Sequence, residues 1–197
     1  MAKVKQKAGM LGIIMGLVVL AMCAISIAGL AMDEWTIVSV NSDLVDIEDL
    51  KEYGIDTSES FGDYSDSVIG EEGEKIEDIE ISFDSDNPDA LRTAMVVFGY
   101  IAVIAVCALA VLYLLKMVLN FGLMRFFVGI VGIVTLAAGA VLTAMTALYC
   151  DSIVLSINLP IVGNLIEAKT ILGVGAYLSC IGTMAGGLAA VVGVARK

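Results

Sequence analysis

Four stretches of this chain, residues 8–32, 94–115, 126–149 and 171–195, contain no Asp, Glu, Lys or Arg. The hydrocarbon core of a bilayer is about 30 Å thick, and roughly 20 apolar residues in an α-helix cross it. Each stretch is long enough to do so. The chain is 59% apolar, against about 45–50% in ordinary soluble domains. The expected fold is therefore an all-α membrane protein, a bundle of four transmembrane helices.

The charges give the bundle a direction. The chain has 22 acids and 11 bases, and all the acids lie in the connections between the first and second stretches and between the third and fourth. The other segments hold Lys3, Lys5 and Lys7, then Lys116 and Arg125, then Arg196 and Lys197, with no acid among them. With four spans, both termini share a face with the connection between the second and third, and the positive-inside rule makes that face cytoplasmic. The expected organisation is a cytoplasmic N-terminus (1–7), TM1 (8–32), an acidic extracellular loop (33–93), TM2 (94–115), a cytoplasmic turn (116–125), TM3 (126–149), a second extracellular loop (150–170), TM4 (171–195) and a cytoplasmic C-terminus (196–197). This is a multi-pass protein of the plasma membrane. A cleaved signal peptide competes at the start, with Lys3, Lys5 and Lys7 as its basic region and Gly29, Leu30 and Ala31 before the cut. The apolar run exceeds the usual 7–15 residues of such a peptide, and removing it would split the basic ends across the membrane.

These features exclude several kinds of function. An acidic chain, with a pI near 4.2, lacks the Lys and Arg that neutralise nucleic-acid phosphates. It has no histidine, hence neither the commonest general base nor the commonest metal ligand. The spans carry only mild polar groups, Ser26, Thr135, Thr143, Thr146, Ser179 and Thr183, whereas ion-coupled transport uses ionisable residues at mid-membrane. No nucleophile with a base beside it is recognisable, so no catalytic residue and no enzyme activity is expected.

Small residues recur at helical spacing: Gly12 and Gly16 in the first span, Gly129, Gly132 and Gly139 in the third, and Gly175, Ser179, Thr183 and Gly187 along the fourth. Such stripes let helix backbones approach closely in lipid, either within the bundle or in a lateral oligomer interface on the fourth span. Cys23, Cys107 and Cys180 sit in apolar runs as small hydrophobes. Cys150 lies at the outer edge of the third span, as a free thiol or an intermolecular disulfide.

The first outer loop opens on a β-branched run, 35–40, and ends with Ile79, Ile81 and Phe83 alternating with Glu80 and Ser82. Between them, residues 56–73 read as turns or a mobile loop. In the second loop Ile153, Leu155, Ile157 and Leu159 alternate with smaller or polar residues until Pro160. A lone strand is unstable, so the two loops are expected to share one small antiparallel extracellular β-sheet. Acidic clusters stud the first loop. Asp84, Asp86 and Asp89 are a candidate Ca²⁺ site, since Ca²⁺ takes six to eight oxygen ligands and Asp84-Ser85-Asp86-Asn87 has part of an EF-hand pattern. The competing reading is a solvated, self-repelling surface. No other cofactor is indicated.

At this point the chain resembles the claudin and peripheral-myelin-protein group of four-span proteins. The points of likeness are the topology, Trp35 just after the first span, Arg92 at the entry to the second, and the texture of residues 173–182. The paired cysteines and the Gly-Leu-Trp signature of the claudin loop are absent. Tetraspanins and connexins fit less well, because their cysteine-bearing loops have no counterpart here. The resemblance implies a non-enzymatic membrane protein whose outer face makes protein–protein contacts in cell-surface structure, adhesion or lateral assembly. It implies either a homo-oligomer or a place in a larger membrane complex. Trp35, Arg92 and the stripe of Gly175, Ser179, Thr183 and Gly187 are the interaction candidates. The alternatives are, from another class, an accessory subunit of a channel, transporter or other membrane complex and, third, an oligomeric cation-selective pore.

Overall fold

A computed structural model of the chain describes residues 10–40, 58–64, 80–83, 88–119, 122–158 and 165–195. Its helices are α1 (Met10–Leu30), α2 (Pro88–Leu119), α3 (Gly122–Ser152) and α4 (Val174–Ala195), and its strands are β1 (Thr36–Val40), β2 (Ser58–Glu59), β3 (Glu80–Phe83), β4 (Ile153–Asn158) and β5 (Leu165–Leu172). All four helices are long and apolar enough to cross a membrane, which makes this a multi-pass membrane protein.

Two helices outrun the uncharged stretches. Helix α2 begins at Pro88, whose missing N–H costs nothing in a first turn, with Asp89 beside the positive end of the helix dipole. It continues past Lys116, and α3 starts before Arg125. Most of the ten-residue turn expected at 116–125 is therefore helix. A long basic side chain at a helix end can hold its charge in water while its stem lies on apolar surface, so charge marks the membrane boundary and not the helix end.

The chain divides into two compact units. The first comprises residues 1–28, 98–142 and 178–197, and the second residues 29–97 and 143–177. The division also separates the charges. Every acid belongs to the second unit, and the first holds seven bases and no acid.

In the first, helical unit the four helices meet through small residues. A Cβ on Gly182 would come 2.7 Å from the Ser26 nitrogen and 2.8 Å from the Met22 oxygen, and one on Gly187 would come 2.6 Å from the Leu136 nitrogen and 2.7 Å from the Gly132 oxygen. Only hydrogen fits at these points, so α4 lies backbone to backbone on α1 and on α3. Gly16 and Gly193 make room for Tyr113 of α2, which joins Val19, Cys23, Val106, Leu109, Val128 and Ala190 in one buried cluster. Three hydroxyls within the bundle find partners nearby. The Thr183 hydroxyl donates to the Ser179 carbonyl at 2.7 Å, so Ser26, 2.6 Å from Thr183 Oγ1, is the donor to Thr183. The Thr135 hydroxyl donates to the Val131 carbonyl at 2.8 Å.

The second unit contains one antiparallel sheet in the order β2-β1-β5-β4-β3. Both connections contribute to it. The expected pairing of the two loops is present, with Ile81 opposite Leu155. The central strand is β5, which pairs with β1 (Val38 opposite Thr170) and with β4 (Ser156 opposite Glu167). Its last two residues, Ile171 and Leu172, lie in the uncharged stretch 171–195, and α4 begins only at Val174.

Candidate functional site

The second unit is organised around Trp35, which follows α1 and is fully buried. Its backbone N–H donates to the Glu59 carbonyl at 2.8 Å, and its carbonyl accepts from the Gly173 N–H at 2.8 Å. One residue earlier, the Glu34 carbonyl accepts from the Gly175 N–H at 2.9 Å. One of the orphan donors at the start of α4, the Gly175 N–H, is thus met by a backbone carbonyl. The approach is tight enough to require glycine. A Cβ on Gly173 would collide with the Glu34 carbonyl, and one on Gly175 would lie 2.7 Å from the Gly29 oxygen.

Residues 60–64 turn back onto the indole. The Ser60 N–H donates to Asp63 Oδ2 at 2.9 Å, and the Asp63 N–H donates to Ser60 Oγ at 3.1 Å. This reciprocal arrangement is a capping box, and the Ser60 hydroxyl adds a third bond to the same carboxylate at 2.7 Å. These bonds hold the Asp63 carboxyl below its usual range. The helical turn that follows buries Phe61 and Tyr64 three residues apart. Phe61 stacks at 4.8 Å and 59° on Trp35, and Tyr64 meets Tyr149 edge-on at 5.5 Å. The Tyr64 hydroxyl is 2.6 Å from Thr36 Oγ1. Burial, with the Glu59 carboxylate close by, pushes the Tyr64 phenol well above its ordinary range, so it stays protonated.

Arg92, in the first turns of α2, lays its guanidinium over the Tyr64 ring at 5.4 Å. Its buried Nε and the Trp35 Nε1 have no hydrogen-bond partner among the described residues. An exposed ion pair, Lys169 Nζ to Asp151 at 2.9 Å, lies in the same unit and raises the lysine's affinity for its proton.

Trp35 and Arg92, read separately from the sequence, thus belong to one cluster, joined through Phe61 and Tyr64. Those two had been assigned to a loop, although Ser60-Phe61-Gly62-Asp63 has the spacing of a capping box. The other candidates are placed differently. Gly175, Ser179, Thr183 and Gly187 are all buried. Their neighbours include the Gly29 carbonyl, Ser26 of α1, and Gly132 and Leu136 of α3, and the Ser179 hydroxyl oxygen has no partner among the described residues. The stripe is taken up by packing inside the chain, and the exposed side of α4 carries Val174, Tyr177, Ile181 and Leu188 instead. Asp89 is exposed in the first turn of α2, while Asp84 and Asp86 lie outside the described residues. Among the described residues no group of three or more His, Cys, Asp or Glu is placed to hold a metal ion.

Comparison with family models, with curated proteins and with solved structures finds no match to this chain.

Proposed function

We propose that this chain is a non-enzymatic, claudin-like protein of the plasma membrane, with both termini cytoplasmic and an acidic extracellular face that makes protein–protein contacts. Its role is in cell-surface structure, adhesion or lateral assembly. The observation that carries the reading is the sheet. Strands from two separate connections pair in it, β1 with β5 and β3 with β4, and the Trp35 cluster ties both connections to helix ends. The unit that carries this sheet holds every acid in the chain. A preformed surface gives up less entropy on binding than two loose loops would, and its charge favours basic partners and repels acidic ones.

Native mass spectrometry of the gently solubilised protein, at low and high salt, tests this. The expected result is oligomers of this chain, or complexes with a partner, that weaken as salt screens the acidic face. A monomer under every condition counts against the reading.

One observation favours a second reading, an accessory subunit of a larger membrane complex. Ala21, Ala24 and Ala28 lie exposed on α1, where small residues would let another membrane helix approach. Stoichiometric co-purification with a larger unrelated chain, insensitive to salt, would select it.

A further inference from the structure

The helical unit carries seven basic side chains and no Asp or Glu. Two of these bases are described, and they lie together at the junction of α2 and α3. The Lys116 ammonium sits 4.4 Å above the ring of Tyr113, one turn earlier on α2, and its side chain is half-buried. Arg125, exposed in the first turns of α3, is near enough for its charge to act on Lys116. Two cations near one another repel, and their unit has no Asp or Glu side chain to compensate them. The complement that fits is an anion from outside the chain.

The surroundings indicate which anion. Val118 is 80% exposed, Leu123 67% and Phe126 63%. In a protein whose helices cross a bilayer, exposed apolar side chains within a few residues of two bases belong at the boundary between headgroups and acyl chains, where aromatic rings and snorkelling bases gather. A free phosphate would use the cations and leave these side chains bare. A phospholipid uses both.

We propose that Lys116 and Arg125 form a binding site for the phosphate of an anionic phospholipid, with Val118, Leu123 and Phe126 against its acyl chains and the Tyr113 ring holding Lys116 in place. The site depends on the multi-pass architecture and not on the outer-face reading, so the two fail separately.

The test is native mass spectrometry of the full chain from nanodiscs containing equal amounts of phosphatidylglycerol and phosphatidylcholine, scoring the lipids retained per protein. Wild type should retain phosphatidylglycerol in preference. A Lys or Arg near an anionic membrane surface contributes about 1 kcal/mol. The double variant K116Q/R125Q should therefore lose about tenfold or more of that preference, and K116R/R125K should keep most of it. Glycerol phosphate in excess should not displace the lipid. Three results would overturn the proposal: an unchanged preference in K116Q/R125Q, an equal loss on substituting Lys3, Lys5 and Lys7 by Gln, or displacement by glycerol phosphate. The second would reveal diffuse attraction to the whole basic end, and the third a plain anion site. K169Q, which alters a lysine of the sheet unit, should retain the wild-type preference and so controls for general loss of charge.

Discussion

In the helical unit the tightest contacts are made by the smallest residues, where Gly182 and Gly187 admit the backbones of α1 and α3. In the sheet unit the buried centre is built from the largest, Trp35, Phe61, Tyr64 and Tyr149. The contrast follows from the solvent each unit faces. Lipid chains are as apolar as Leu, so burying a hydrophobic side chain between membrane helices gains little, and association comes from close van der Waals approach. Trp35, Phe61 and Tyr64 lie outside the four spans, where removing aromatic surface from a wetter environment is favourable in itself. Substitutions at these two sets of residues should therefore fail for opposite reasons.

The largest expected effect is in the aromatic cluster. Trp35→Ala removes the ring against Phe61 and should destabilise the sheet unit by about 3–5 kcal/mol. The measurement is hydrogen exchange at the amides of β1 and β5, which should speed up far more than those at the centres of the helices. Uniform acceleration throughout would show that the two units unfold as one. Gly187→Val comes next. Overpacking typically costs about 1–3 kcal/mol, and here the added carbon meets Leu136 and Gly132 backbone that cannot turn aside. Gly12 has nothing within 4 Å of an added Cβ, and Gly12→Ala should be neutral or slightly stabilising through helix propensity. Thermal unfolding in detergent separates the two, and equal effects would remove the packing argument.

Ser60→Ala, which breaks the capping box, should cost about 1 kcal/mol. It also carries a pH signature. The Asp63 carboxyl is depressed in the folded chain, so the stability it contributes is present at neutral pH, above its unfolded value, and is lost as pH falls through the folded one. Trp35 is the only tryptophan, and its emission should report this acid transition. The transition should shrink in Asp63→Asn, and an unchanged profile would mean that the carboxylate does not hold the turn. The smallest effect is expected at Lys169→Gln. Its ion pair with Asp151 is largely exposed on both sides, and such pairs contribute little. The melting temperature should not move measurably.

The same contrast governs what could be read from the sequence. The helices were legible because the absence of charge over more than twenty residues has one physical meaning. So were β1, a β-branched run, and β3 and β4, whose alternation of apolar and polar residues is a local signal. Strand β5 was not legible: the strand pattern of the second loop was read only as far as Pro160, and Ile171 and Leu172, which carry no charge, were counted with the fourth span. The stripe of small residues on α4 could be seen, but which helix each glycine admits depends on the rotation of α4, and one sequence does not fix that. The joining of Trp35 to Arg92 was hidden for a further reason. It runs through Phe61 and Tyr64 in a segment whose Ser, Gly and Asp content resembles a loop, and those residue types are the ones a helix cap uses.

The central proposal is that the acidic sheet faces outward and the basic junction of α2 and α3 faces the cytoplasm. It can be tested with single cysteines, K169C on β5 and R125C on α3, each in a chain whose four native cysteines are replaced by Ala. Intact cells expressing either protein are treated with a membrane-impermeant maleimide. The account predicts that K169C is labelled at once and R125C only after permeabilisation. Labelling of R125C in intact cells with K169C protected would reverse the topology, and labelling of both would contradict a chain that crosses the membrane between them.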